Sequence, residues 1–259
     1  MNPIEQFQAE RISRIERFGK SESLQIQSRD WLERSMAEGY VYNFEWMGRP
    51  IIQYPQEIVA IQELVWSVRP DLIIETGIAH GGSLVLSASL LALLDLCDAH
   101  LAGTMYDPSK PKRKVVGVDI DIREHNHTAI TSHPMANRIE MIQGSSISTD
   151  TIAKVKSAVV GYERVLVCLD SMHTHDHVLA ELEAYAPLVS VGSYCVVFDT
   201  FVEDMPPGFF KDRPWNVRNN PKTAVWEYLK SNQEFEIDKM IENKLLITVA
   251  PDGYLKKVR

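Results

Sequence analysis

The sequence predicts an α/β domain built on a Rossmann-like sheet, with five parallel strands, a C-terminal antiparallel hairpin and an N-terminal helical extension. Two observations lead there. From residue 72 onward, short and nearly unbroken apolar runs alternate with helical patterns, as in strands covered on both faces of a parallel sheet. The first of those runs feeds into a glycine-rich turn, placed where α/β sheets assemble their ligand sites.

Composition sets the bounds. The 259 residues carry a formal net charge of -8, with 35 acids against 27 bases, which argues against a nucleic-acid partner. Cys97, Cys168 and Cys195 are too scattered for a disulfide framework or a zinc cluster. The longest apolar stretch, Leu84 to Leu94, falls short of the ~20 residues that span a bilayer. The N-terminal MNPIEQFQAERISRIERF lacks a signal-peptide core. A cytoplasmic protein with no membrane partner is the expectation.

The elements follow in order. Ile4, Phe7, Ile12, Ile15 and Phe18 recur at helical spacing. A second helix, Leu24 to Glu38, ends at Gly39 as a C-cap. Tyr40 to Pro55 is rich in aromatics and turn residues. There Tyr42, Phe44 and Trp46 suit a pocket wall, an oligomer contact or plain core. Gln56 to Val68 reads as a helix with Ile58, Ile61, Leu64, Val65 and Val68 on one face, stopping before Pro70. The expected division is an extension over 1–55 and the sheet domain over 56–259.

The strand runs are LIIE (72–75), VVGVD (115–119), RIEMI (138–142), RVLVCLD (164–170) and YCVVFD (194–199). Helical patterns lie near 82–97, 123–132, 149–158 and 176–186. Two further strands, 236–241 and 244–249, are separated only by Glu242 and Asn243 and predict the hairpin. Segments 98–114 and 200–220 exceed what simple connections need, which predicts lids or insertions. Asn220 and Pro221 form an N-cap and N1 pair opening one more helix.

Chemistry concentrates at the strand ends. The turn ETGIAHGGS contains Gly77, Gly81 and Gly82, which let backbone approach a ligand, and it opens a helix whose free N–H groups suit an anion. Ala79 stands where the dinucleotide fingerprint has its second glycine, which weakens a dehydrogenase reading. Asp119, with Asp121 as runner-up, ends the second strand, where a carboxylate accepts ribose hydroxyls. Gln143 to Ser146 place small residues after the third strand. Asp170 and Asp199 end two sequential strands and can share a Mg²⁺ ion. His173, three residues beyond Asp170, suits removal of a proton from a hydroxyl. His175 and His177 read as capping or surface residues, and a three-histidine metal site is disfavoured by their spacing.

Together ETGIAHGGS, GVDIDIR, LDSMHTHDHVLAELEAYAPLV, GSYCVVFDT and GRPIIQYPQ resemble the cephalosporin hydroxylase-like family of S-adenosylmethionine-dependent methyltransferases, relatives of macrolide sugar O-methyltransferases. The resemblance covers roughly Tyr40 to Val249. It implies a class I methyltransferase fold, S-adenosyl-L-methionine and Mg²⁺ as cofactors, a hydroxylated small-molecule acceptor, and a homo-oligomer. It places Glu75, Gly77 and Ser83 at the methionine part, with Ala79 and Gly81 in the same turn, Asp119 at the ribose and Ser145 near the adenine. Asp170 and Asp199 are the implied metal ligands, Asp170 also bordering the cofactor, and His173 the implied base. One departure stands out: the family often has Glu-Asp-Thr where this chain has Phe198-Asp199-Thr200, which leaves three alternatives: a weaker metal site, a substitute ligand in Glu203 or Asp204, or no metal. Rival readings are a cofactor-binding protein without methyl transfer and a non-haem iron hydroxylase using two histidines and a carboxylate.

Overall fold

The computed structural model describes residues 2–259. Helix α1 (Pro3–Lys20) opens at Asn2, whose side chain accepts from the Ile4 and Glu5 N–H groups while Glu5 closes a capping box. Then come α2 (Glu22–Ala37), a short antiparallel pair β1 (Phe44–Trp46) and β2 (Arg49–Ile51), and α3 (Pro55–Val68). The alternating region gives β3 (Leu72–Thr76), α4 (Gly82–Ala102), β4 (Lys114–Asp119), α5 (Glu124–Thr131), β5 (Ile139–Gln143), α6 (Thr149–Val159), β6 (Val165–Leu169), α7 (His175–Tyr185) and β7 (Tyr194–Val197). Helix α8 (Pro221–Ser231), β8 (Phe235–Ile237), α9 (Lys239–Leu245) and β9 (Tyr254–Lys257) complete the chain.

The seven-stranded sheet has the order β5-β4-β3-β6-β7-β9-β8. Strands β3 to β7 run parallel, while β9 is antiparallel to both β7 and β8. The strand order reverses direction at β3, so β3 and the neighbouring β6 frame the crevice where ligands enter such sheets. Two apolar clusters cover the two faces, one including Ile73, Leu84, Leu91, Val115 and Leu166, the other Ile74, Val116, Val167, Leu182 and Val197.

Two expectations are corrected. The second hairpin strand is not residues 244–249. Residues 239–245 form α9, capped by Asp238 accepting from Met240 N–H and ended by Leu246 at φ 62°. The strand that pairs antiparallel with β8 is β9, further along. The stretch 98–114 is no lid. Helix α4 runs on to Ala102, and the remainder is pinned ahead of the amino end of β4. There Arg113 contacts Asp95 at 2.5 Å and Asp98 at 2.7 Å, and buried Arg138 reaches Asp95 at 2.6 Å and Tyr106 at 3.1 Å.

Helix α4 is longer than its apolar core suggested. By length and composition it could cross a membrane; here it packs against the sheet, with Leu84, Val85, Leu91 and Leu94 buried.

Candidate active site

The glycine turn is held from several directions. A Cβ on Gly77 (φ 89°) would lie 2.0 Å from the Asp170 carbonyl oxygen, so only glycine lets β3 and β6 approach here. A Cβ on Gly82 would lie 2.2 Å from the Pro50 carbonyl oxygen, which seats β2 on the first turn of α4. Asp119 Oδ2 accepts from the N–H groups of Ile78 (2.8 Å) and Ala79 (3.3 Å). Asn126 donates to the Ala79 carbonyl at 2.9 Å, and Arg49 Nε to the His80 carbonyl at 2.9 Å. These braces hold Ala79 in the left-handed region at φ 45°. Arg49 and Asn126 carried no sequence signal of this role beyond the GRP turn, because their partners lie 31 and 47 residues away.

The second half of the site is a compact acid–histidine group. Ligand atoms of Asp170, His173 and Asp199 lie within 4.8 Å of one another. His173 Nε2 is 3.1 Å from Asp199 Oδ2, and its ring meets Trp215 edge-on at 4.8 Å. Asp199 sits at φ 56°, a strained left-handed backbone just past the end of β7. Burial pushes the Asp170 carboxyl well above its ordinary range, and the negative charges of Asp199, Glu75, Glu181 and Glu57 push it further. A hard cation satisfies this donor set of two carboxylates and one imidazole, and it offsets the crowded negative charge.

These groups line one cleft of about 990 Å³ at the carboxyl edge of the sheet. Gly77, Ala79, Ser83, Asp119, Asp170, His173 and Asp199 are on its wall. Phe209, Phe210, Arg213 and Trp215 from the 200–220 segment form another side, with Tyr42 and Gln53 from the N-terminal region. Phe44 instead packs on Tyr40, and Trp46 Nε1 donates to Ser89 at 3.0 Å.

Three predicted residues lie off that wall. Glu75 is buried beneath the turn and accepts from Ser83 Oγ; burial pushes its carboxyl up to about 7, against the opposing Ser83 bond. Gly81 is the N-cap of α4, with Ile130 against it. Ser145 is half-buried in the turn after β5. Glu203 and Asp204 do not supply the missing metal ligand: Glu203 accepts from Arg218 N–H at 2.7 Å, and Asp204 pairs with Lys222 at 2.6 Å. The place beside the two aspartates is taken by His173.

His175 and His177 turn away from the cluster. His175 Nδ1 lies 2.9 Å from Thr223 Oγ1. His177 Nε2 lies 3.0 Å from Ser146 Oγ and 3.2 Å from Ser171 Oγ, and Ser171 donates to the fully buried Glu181 at 2.6 Å. This network ties the turn after β5 to the turn carrying Asp170. The expectation of a capping or surface residue at His177 misses this bridging contact. No pair of histidines joins a carboxylate in the cleft, so the iron-type facial arrangement does not form among the described residues.

Sheet order, glycine turn and cleft define an α/β protein of the Rossmann-like methyltransferase class. A solved structure of CmcI described with Mg-SAM superposes with a TM-score of 0.52 at 18% identity, covering 84% of this chain and 78% of that one. A CmcI apo-structure gives 0.51 at 17% identity, over 84% and 77%. A family model described as Rhamnosyl O-methyltransferase/CmcI matches residues 38–258. The rhamnosyl O-methyltransferase of Mycobacterium bovis is 30% identical over 203 residues, 75% of this chain and 70% of that protein. That of Mycobacterium leprae is 26% identical over 213 residues, 81% of each. The chain belongs to the rhamnosyl O-methyltransferase/CmcI family.

Proposed function

We propose that this chain transfers a methyl group from S-adenosylmethionine to a hydroxyl of a sugar or of a glycosylated natural product, assisted by Mg²⁺. The observation that carries the reading is the meeting of Asp170, His173 and Asp199 beside the glycine turn, in one cleft. When bound, S-adenosylmethionine supplies a methyl group already activated by its sulfonium charge. Asp170 and Asp199 would hold the metal, which would lower the pKa of a hydroxyl it contacts.

The chain's own residues have three tasks. The braced glycine turn and Asp119 bind the cofactor along the strand ends. Phe209, Phe210 and Trp215 cover the acceptor with aromatic surface and exclude water. His173 takes the acceptor proton, with Asp199 Oδ2 3.1 Å from its Nε2 to offset the charge the ring then carries. A second reading, favoured by the close packing of the three ligand atoms, makes His173 the third metal ligand in place of the carboxylate that Phe198 lacks.

The mycobacterial relatives are named for rhamnosyl acceptors, so rhamnosides are the first substrates to test. The test is incubation with S-adenosylmethionine labelled in the methyl group, with rhamnosides, other glycosides and polyphenols, with and without Mg²⁺. Labelled methyl ether on a glycoside, reduced by EDTA, supports the reading. Cofactor binding without transfer to any acceptor overturns it in favour of a binding protein.

A further inference from the structure

Helix α7 carries His177, Glu181 and Tyr185 at i, i+4 and i+8, one above another on a single face. That face is turned inward: Glu181 and Tyr185 are fully buried, and the His177 side chain is 18% exposed. Buried polar groups need partners, and these find theirs on two turns at the sheet edge. In the turn after β5, Tyr185 donates to the Ser146 carbonyl, and Ser146 Oγ lies 3.0 Å from His177 Nε2. In the turn after β6, Ser171 Oγ lies 3.2 Å from the same nitrogen and donates to Glu181 Oε1 at 2.6 Å. The other oxygen of Glu181 is shut off without a partner, so this carboxylate depends on Ser171 and on the His177 ring 3.5 Å away. Among the described residues, His177 is the one side chain within hydrogen-bond reach of both turns.

Both turns lead into the cleft. Ser171 follows Asp170 in the chain, and both are on the cleft wall. Their backbone backs the glycine turn so closely that a Cβ on Gly77 would lie 2.0 Å from the Asp170 carbonyl oxygen and 3.1 Å from Ser171 Cα. A shift of Ser171 is therefore a shift of Asp170. The negative charge of Glu181 also acts on Asp170. On the other side, Gly144 N–H donates to the Asp119 carbonyl at 2.8 Å, which joins the turn after β5 to the residue proposed for the ribose. Strand β5 lies beyond β4 in the sheet, so a nucleoside with its ribose at Asp119 sets its base toward the turn that carries Ser146. Ser146, His177 and Glu181 are not themselves on the cleft wall.

We infer that His177 is a positioning residue that couples the nucleoside end of the cleft to the metal end, through Ser146 on one side and Ser171 on the other. The inference rests on the cofactor and metal reading proposed above. A nucleoside that fixes the turn after β5 fixes Ser146, and His177 passes that order to Ser171 and so to Asp170. Groups that share one hydrogen-bond network are coupled in energy. Coupling between two binding sites is reciprocal, so each ligand should tighten the other by the same factor.

Calorimetric titration of Mg²⁺ with and without saturating S-adenosylhomocysteine, and of S-adenosylhomocysteine with and without saturating Mg²⁺, measures that factor. In the wild type each ligand is expected to tighten the other about fivefold or more. His177→Ala is expected to bring the factor close to one, and His177→Gln, whose amide reaches both hydroxyls, to restore part of it. Ser146→Ala removes only one hydroxyl on the nucleoside side and is expected to lower the factor too, so the test survives a His177→Ala protein that does not fold. A purely structural role would lower the melting temperature and leave the factor as it is. An unchanged factor in both His177→Ala and Ser146→Ala overturns the inference. So does a wild type that binds both ligands independently, with the proposed cofactor and metal left intact. Failure of the wild type to bind S-adenosylhomocysteine or Mg²⁺ overturns that part of the proposed function and this inference with it.

Discussion

His173 is the residue on which two chemistries meet, because its ring lies beside Asp199 and one of its nitrogens is within reach of a shared cation. The roles separate experimentally. If His173 is the base, His173→Ala lowers kcat by a factor of about 10² to 10⁴ and leaves Mg²⁺ affinity nearly unchanged. If it is the third ligand, the same variant loses Mg²⁺ affinity, and raising the metal concentration restores turnover. Asp170→Asn removes a buried charge that both roles need. It is expected to abolish turnover while the folded protein persists, since relieving repulsion among Asp170, Asp199 and Glu181 does not destabilise the chain. Circular dichroism and a methyl-transfer assay on the purified variant check both halves. Asp170 and Asp199 were legible in the sequence because each is the first polar residue after an apolar strand. His177 was not: Ser146 lies on a different turn and Ser171 six residues back, and only folding brings both hydroxyls to its Nε2.

At the scale of elements, the alternation of strand and helix from 72 to 197 was readable because each buried strand is a short apolar run and each helix has an amphipathic or capped pattern. The pattern failed at 239–249. Met240, Ile241, Leu245, Leu246 and Ile247 fit a strand pair by composition, but Asp238 caps a helix there, and the chain beyond it is drawn under the cleft by Val249 donating to Glu57 at 2.9 Å. Residue separation of 192 hides that bond from any local reading. The 200–220 segment was legible as a long connection, and its contacts are now specific: Arg213 lies over Trp215 at 5.2 Å, and Trp215 meets His173. Trp215→Ala is expected to lower kcat/KM for the acceptor about tenfold or more, through lost acceptor contact and a freed His173 ring. Binding of S-adenosylhomocysteine should stay near wild type. A matching loss of cofactor affinity would mean that the segment covers the nucleoside instead.

The whole molecule carries an acidic interior beneath this cleft. Glu57 is fully buried on α3 and keeps one oxygen without a partner. Burial pushes its carboxyl from 4.5 to about 7, with the charge of Asp199 adding to the effect and hydrogen bonds from Thr248 and Val249 opposing it. Glu75 is raised to about 7 as well. The sign follows from linkage. Below pH 4.5 both carboxyls are protonated whether folded or unfolded. Between 4.5 and 7 the unfolded chain releases these protons and the folded one keeps them, so stability from these groups falls as the pH rises through that window. At 1.36 kcal/mol per pH unit the cost of holding Glu57 reaches about 3 kcal/mol above pH 7. The ligand-free protein should therefore melt several degrees lower at pH 8 than at pH 5.5. Glu57→Gln keeps an acceptor for Val249 N–H and removes the titration, so its melting temperature should vary less over the same range and exceed that of the wild type at pH 8. A Mg²⁺ ion at the proposed site would act on the same excess of charge from the cleft side, and binding to the folded state alone would raise the melting temperature with concentration. The Mg²⁺ stabilisation should be larger at pH 8, where the carboxylates are ionised, than at pH 5.5. A stabilisation independent of pH would separate the metal from the buried acids.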